Sequence, residues 1–474
     1  MPTQDELNQR RAFYRFLAIT LLLLASAICF SSPPPNIILI LTDDQGYGDL
    51  GAFGATHLAT PNLDALAANG MRFTNFYSAS SVCSPSRAAL MTGSYPLRAG
   101  VPNVLFPNGA WGTNPNRGLH PDEETIADLL QKKGYATAMT GKWHLGHRPA
   151  LLPTRQGFDN YFGIPFSNDM TIVPSMRLAS NIRFNNGWTV DTVQDTQTQN
   201  HGNYPPLMKN EEVIEVPANQ DTMTRRLTDY AVSFIRSNAG KQPFFLYFAH
   251  SMPHVPLHTD VNFKGISGKG IYADVIQEID WSVGQIVSAL SQHGVRDNTL
   301  IVFLSDNGPW QSYGNHAGDS GGLRGGKFDV WEGGFRVPAI ASWPARIPSG
   351  KVNNQVISTI DILPTLAHIA ATKPSGKTID GVNIIESLTG GLTDELGNRY
   401  LYYFLGSQLA AVRKSHWKYV FEHTGHAVLE TGADGENGMS DFSVEVKEAL
   451  YDLSSDRAES TNVIKRHPSV SSSL

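Results

Sequence analysis

The chain has 474 residues, 41% of them hydrophobic, 10% aromatic and 17% charged, a balance that excludes intrinsic disorder and coiled coil and leaves room for more than one domain. Its 43 glycines and 28 prolines mark a loop-rich globular protein. Thirty-seven basic against 43 acidic residues leave a net charge of −6, so nothing in the global balance draws it to nucleic acid or an anionic membrane, and any anion site must be local.

At the N-terminus Arg10, Arg11 and Arg15 precede an apolar run from Phe16 to Phe30. That run falls short of the ~20 residues a spanning helix needs, so residues 1–32 are expected to be a secretory signal, with an N-terminal anchor as the alternative. Without this segment and its Cys29 the only cysteine is Cys83, which excludes an internal disulfide. No Asn-x-Ser/Thr sequon occurs. Both absences point to a periplasmic or secreted protein rather than a glycosylated lysosomal one.

Further along, apolar runs stop abruptly at polar clusters. Ile37–Leu41 ends at Asp43 and Asp44, Ala136–Met139 at Lys142 and His144, Phe244–Ala249 at His250 and His254, and Leu300–Leu304 at Asp306 and Asn307. Continuous apolar runs of this length suit strands buried on both faces of a parallel sheet. Helices are expected between them: Thr60–Gly70, Pro121–Gly134 and about Tyr272–His293, the last with Val275, Ile276, Ile279, Val283, Ile286, Val287 and Leu290 at helical spacing. The fold class is therefore α/β, a large, mixed but mostly parallel sheet flanked by helices, over residues 33–375. Ligands of such sheets bind at the carboxyl ends of the strands, where the four polar clusters converge. Residues 170–225 are polar and weakly periodic and are expected to form a surface excursion. Beyond 375, short strands at Leu401–Phe404, Ala410–Arg413, His416–Phe421 and Leu450–Leu453 predict a smaller antiparallel C-terminal domain over 376–474.

Three carboxylates (Asp43, Asp44 and Asp306) and the amide carbonyl of Asn307 make a hard oxygen set suited to calcium or magnesium rather than zinc. Turn-forming after strands is their plainer reading. Lys142, His144, His254 and Lys327 supply cations and titratable rings that would cradle a tetrahedral anion whose leaving oxygen needs a proton. Cys83-Ser84-Pro85-Ser86-Arg87 puts the thiol beside a proline-initiated helical turn, where amide groups and the helix dipole favour negative charge.

Cys83-x-Pro85-x-Arg87, continued by Leu90, Thr92 and Gly93, resembles the signature of the type I sulfatases of the alkaline phosphatase superfamily. The likeness runs from Asn36 to about Asn462. It takes in Asp43-Asp44-Gln45-Gly46-Tyr47-Gly48-Asp49, Gly141-Lys142-Trp143-His144-Leu145-Gly146, Asp306-Asn307-Gly308, Gly326-Lys327 and Leu450-Tyr451-Asp452-Leu453, and it is greatest to the branch holding arylsulfatase A and N-acetylgalactosamine-6-sulfatase. This resemblance implies an alkaline-phosphatase-like fold and a sulfuric ester hydrolase whose Cys83 is oxidised by a formylglycine-generating maturation enzyme. It implies one calcium ion, or magnesium, held by Asp43, Asp44, Asp306 and Asn307 with residue 83. One hydroxyl of the hydrated aldehyde would attack sulfur, helped by Arg87 and Asp306. His254 would protonate the leaving alcohol, Lys142, Ser167, His254 and Lys327 would bind sulfate, and His144 would deprotonate the second hydroxyl so that a sulfo-enzyme intermediate collapses. The partner implied is an aryl or carbohydrate sulfate. The alternatives are a phosphate or phosphonate ester hydrolase of the same superfamily and a non-catalytic sulfoglycan-binding protein.

Overall fold

In the computed structural model, which describes residues 3–5, 33–198, 202–375 and 377–474, the continuous apolar runs are parallel strands. The expected leader therefore lies, apart from residues 3–5, outside the described residues. Five strands form the centre of the main sheet: β1 (Asn36–Thr42), β2 (Ala136–Lys142), β3 (Asn160–Ile164), β4 (Phe244–Ala249) and β5 (Thr299–Ser305). They lie in the order β5-β1-β4-β2-β3, all parallel, with Ile38 opposite Ile301 and Leu39 opposite Tyr247. Ala339–Ser342 runs antiparallel beside β5, followed by Met71–Phe73 and Lys351–Asn353, and Leu207–Lys209, Glu212–Val216 and Leu178–Phe184 extend the far side beyond β3.

Each central strand is buried on both faces because successive side chains enter different cores. Ile37, Leu39 and Leu41 join one, Ile38 and Ile40 the other. Helices α1 (Pro61–Ala68), α2 (Cys83–Thr92), α3 (Ile126–Gln131), α4 (Met223–Asn238) and α5 (Ile271–Gln292) cover the sheet. On α5 the apolar stripe Val275, Ile276, Ile279, Val283, Ile286 and Leu290 packs with Leu227, Ala231 and Ile235 of α4, and each such burial contributes roughly 1.5–3 kcal/mol before entropy is subtracted.

Two local expectations shift. The helix expected over Pro121–Gly134 begins only at Ile126, because Thr125 and Asp128 form a reciprocal capping box that satisfies the first free N–H groups there. The expected excursion at 170–225 is partly sheet: Leu207, Met208, Val213 and Val216 are buried in edge strands too short and interrupted to show a period.

A smaller antiparallel sheet follows as expected, from β6 (Tyr400–Leu405), β7 (Gln408–Lys414), β8 (Trp417–Val420) and, after a hairpin of β9 (His423–Glu430) and β10 (Met439–Val446), β11 (Ala449–Asp452). Ser415, at φ 55°, makes the tight turn between β7 and β8. Glu332 joins this sheet to the rest. Wholly buried, it accepts hydrogen bonds from the Tyr77 hydroxyl (2.6 Å), the Tyr403 hydroxyl (3.2 Å) and Lys418 Nζ (3.2 Å), with Arg336 at 3.6 Å and Arg413 at 3.7 Å. Burial alone would raise its pKa, but Lys418, Arg413 and Arg336 hold it well below the usual carboxylate range. Glu332→Ala would strand these cations, so it is expected to cost about 3–5 kcal/mol in urea unfolding; a loss under about 1 kcal/mol would show that Glu459, 2.8 Å from Lys418, takes over.

Candidate active site

The carboxyl ends of β1, β2, β4 and β5 place Asp43, Asp44, Lys142, His254, Asp306 and Asn307 around the first residue of α2, Cys83. Asp43, Asp44, Cys83 and His254 offer ligand atoms all within 4.8 Å of one another. Two sharp backbone turns aim the side chains inward. Asp44 and His144 both adopt left-handed conformations, φ 63° and 57°, which non-glycine residues hold only where surrounding contacts compensate. Gly141, the residue before Lys142, has φ 108°, and a Cβ there would fall 1.6 Å from the Ala249 carbonyl oxygen. Only glycine lets β2 and β4 meet so closely beneath the site.

The charges are interlocked. Lys142 Nζ lies 2.5 Å from Asp43 Oδ2 and donates to Ser167 Oγ at 3.1 Å. Arg87 donates through Nε to Asp306 Oδ2 at 2.9 Å and through Nη1 to the Lys142 carbonyl at 2.7 Å, while its Nη2 sits 2.8 Å from Asp306 and 3.6 Å from Asp43. Lys327 Nζ donates to Asp44 Oδ2 at 2.8 Å. Asn307 Nδ2 donates to Asp44 Oδ1 at 2.7 Å, and the Asp44 amide to Asp306 Oδ1 at 3.2 Å. His254 Nε2 stands 3.6 Å from Asp44 Oδ2 and 3.5 Å from Ser167 Oγ, its Nδ1 bonded to the Val255 carbonyl at 2.5 Å. His144 Nε2 is 2.8 Å from the Leu105 carbonyl, which leaves Nδ1 without a hydrogen-bond partner among the described residues.

Electrostatics follow from this burial. Desolvation would raise Asp43, yet Lys142, with His254 and Arg87, holds it far below the ordinary range; burial and then the adjacent Asp43 push Asp306 up. Burial lowers both imidazoles, His144 with Lys142 beside it and His254 with Lys327 beside it, so both rings are neutral. Cys83, 2% exposed, runs against the expectation of a thiol favoured as an anion. Burial pushes it up to about 12, outweighing Lys142 and Lys327.

A cation fits this donor set. Asp43 Oδ1 and Asn307 Oδ1 are buried acceptors with no hydrogen-bond partner among the described residues, and a hard divalent ion satisfies oxygens of this kind. Asp306 enters less freely, since both its oxygens already accept from Asp44 and Arg87. Every site residue expected from the sequence, Ser167 included, lies in this cluster. Three supports were not expected. The Ser86 hydroxyl donates to the Asp306 carbonyl at 2.5 Å, the Leu105 carbonyl holds His144, and the ring of Trp310 lies 4.3 Å from Lys327 Nζ. Trp310 closes Asp306-Asn307-Gly308-Pro309-Trp310, so an aromatic after a strand-end cluster was its signal; a backbone carbonyl such as that of Leu105 leaves none.

Residues 35–372 match the family model described as Sulfatase. Human (Homo sapiens) arylsulfatase A is 38% identical over 455 residues, covering 94% of this chain and 86% of that protein. N-acetylgalactosamine-6-sulfatase of Canis lupus familiaris is 38% identical over 395 residues, 81% and 71% respectively. Among solved structures, that of Ps i-CgsB in complex with k-i-k-neocarrahexaose superposes with a TM-score of 0.75 at 29% identity, covering 93% of this chain and 91% of that one.

Because the close contact of β2 with β4 sets where Lys142 stands, Gly141→Ala is expected to lower the unfolding free energy by about 3 kcal/mol or more in urea titration. A change under about 0.5 kcal/mol would show that the strands can spread without cost.

Proposed function

The chain belongs to the sulfatase family and is a sulfuric ester hydrolase, and from this premise we propose that it removes sulfate from an aryl or carbohydrate sulfate ester by way of formylglycine at position 83 and one calcium ion. The observation that carries this reading is the inert thiol at the centre of the charge cluster: a group with its pKa near 12 is a poor nucleophile and a poor ligand. Oxidised to the aldehyde and hydrated, residue 83 would supply one oxygen to attack sulfur and a second whose deprotonation releases the sulfate. The maturation enzyme has to act before folding, since Cys83 is buried in the finished structure.

Asp43, Asp44, Asp306 and Asn307, with residue 83, would hold the calcium ion, which would lower the cost of negative charge on the attacking oxygen; magnesium suits the same oxygens. Arg87 lies against Asp306 and Asp43 and adds positive charge there. Asp306, whose pKa burial raises, is fitted to accept the proton of the attacking hydroxyl. Lys142, Ser167, Lys327 and His254 surround the place for sulfate. Neutral His254 has Nδ1 committed to the Val255 carbonyl, so Nε2 is the nitrogen that takes up a proton when the anionic ester arrives and delivers it to the leaving oxygen. The open Nδ1 of His144 is the base for the second hydroxyl.

Charge separates this reading from phosphate ester hydrolysis. Three carboxylates face three permanent cations, Arg87, Lys142 and Lys327. One divalent ion then balances a sulfate monoanion and one ionised oxygen, whereas a phosphate dianion would leave buried negative charge uncompensated. The arginine-led N-terminal run carries the accompanying proposal of export to the periplasm or the medium. Among the described residues no helix is long and apolar enough to cross a membrane.

Protein made with a maturation enzyme is expected to show aldehyde in place of thiol in the mass of the peptide spanning Cys83, and to cleave nitrophenyl sulfate far faster than nitrophenyl phosphate. Cys83→Ala should abolish turnover and leave the fold intact; an unmodified thiol in fully active protein would overturn the proposal. A chelator should remove activity, and calcium added back should restore it together with a higher melting temperature. His254→Ala should slow esters of poorly leaving alcohols more than nitrophenyl sulfate, because the latter needs little protonation; equal losses would remove its role as acid.

A further inference from the structure

Trp310 stands between two side chains that the proposed reaction uses and that come from different parts of the fold. Lys327 Nζ lies over its ring, 4.3 Å from the centroid, and the His254 imidazole lies 5.6 Å away, centroid to centroid. The indole is itself held. Tyr313 meets it edge-on at 4.8 Å and Phe328 at 5.6 Å, and the Tyr313 amide donates to the Trp310 carbonyl at 3.2 Å. The backbone before it is fixed against the lysine as well: the Lys327 amide donates to the Pro309 carbonyl at 2.8 Å, and a Cβ on Gly326 would fall 2.3 Å from that same oxygen. Only glycine lets the two stretches lie so close, so backbone contacts bring ring and ammonium together.

An ammonium carries three donors and no acceptor. Among the described residues the one hydrogen bond from Lys327 Nζ goes to Asp44 Oδ2 at 2.8 Å. The side chain is only 4% exposed, so water does not surround the charge, and the negative face of the indole is its second partner. A third donor is left for an oxygen of the sulfate. His254 is restrained in a parallel way. Its Nδ1 is bonded to the Val255 carbonyl, but Nε2 has only long neighbours, Ser167 Oγ at 3.5 Å and Asp44 Oδ2 at 3.6 Å. A single short hydrogen bond leaves an imidazole free to tilt about it, and the indole, at 59° to the ring, is the contact that limits the tilt.

Resting on the sulfatase reading, we infer that Trp310 is a positioning residue: its π face orients the Lys327 ammonium toward the sulfate, and the same ring holds His254 toward the leaving oxygen. Packing and electrostatics are separable here. Leucine fills much of the space without a π face, phenylalanine keeps a weaker one, and fluorinated tryptophan keeps the shape while draining negative charge from the ring. The two duties separate as well, since orienting Lys327 acts on anion binding, whereas holding His254 matters most when the departing alcohol needs a proton.

The test uses matured full-length enzyme, with inorganic sulfate as the binding probe and nitrophenyl sulfate and phenyl sulfate as substrates. In titration calorimetry the Kd for sulfate should rise about 10-fold in Trp310→Leu and only about 3-fold in Trp310→Phe. Trp310→Leu should change kcat for nitrophenyl sulfate less than about 2-fold while raising its KM, and should lower kcat for phenyl sulfate, whose phenol leaves less readily, about 5-fold. Difluorotryptophan at position 310 keeps the test open if the leucine variant fails to fold, because Kd should rise with the fluorine content of an otherwise unchanged ring. A Kd indifferent to position 310, equal losses in the leucine and phenylalanine variants, equal kcat losses on the two esters, or a parent without measurable affinity for sulfate would each overturn the inference. A parent that binds sulfate in this Trp310-dependent way yet cleaves neither ester strikes the hydrolase reading alone.

Discussion

Three carboxylates buried side by side are the constraint on which the rest of the structure depends. Asp43, Asp44 and Asp306 are almost fully withdrawn from water, and charges of one sign so placed repel unless cations are built in. Asp43 is held by Lys142, Asp306 by Arg87 and Asp44 by Lys327. These six residues come from five separate stretches of chain, so the site exists only when β1, β2, β5, α2 and the turn at Lys327 are all docked. The parallel sheet supplies rigid strand ends that can carry such a load. Its glycines, Gly141 above all, let those ends approach within van der Waals reach.

Much of this was legible in the chain itself because buried strands leave an unmistakable trace. Ile37–Leu41, Phe244–Ala249 and Leu300–Leu304 read as strands and are strands, and polar residues at their ends had one place to meet. The small C-terminal sheet was legible for the same reason. Less so were the edge strands between Leu178 and Val216, where three short segments bury only a few side chains and the sequence has no period to show. The start of α3 was misplaced because a capping box outranks a proline as a start signal when Thr125 and Asp128 can pair. At the site, side-chain chemistry was readable and its consequence for Cys83 was not. A helix start favours a thiolate, but full burial acts with the opposite sign and prevails.

The C-terminal sheet does more than cover the body. Its strands deliver Tyr403, Arg413 and Lys418 to Glu332, and the hairpin delivers His426 to Asp329. Glu332 and Asp329 stand three residues apart, directly after Lys327. One stretch thus anchors the small sheet, presents the Lys327 cation to Asp44 and orients the ring of His426. Rearrangement in the hairpin would be felt at Lys327 through that stretch, by contact rather than through any distant pathway.

The same geometry explains why a side chain that is unreactive as it folds is tolerated at the centre of the machinery. Were Cys83 to ionise in place, it would add a fourth negative charge beside Asp43 and Asp306, and burial forbids it. Serine there would offer a single hydroxyl, so it could attack sulfur but would have no second proton whose loss releases the sulfate. A residue that can present two hydroxyls escapes this. In the proposed formylglycine hydrate one hydroxyl would attack sulfur and the other would give its proton to His144, so bond making and bond release would use different protons.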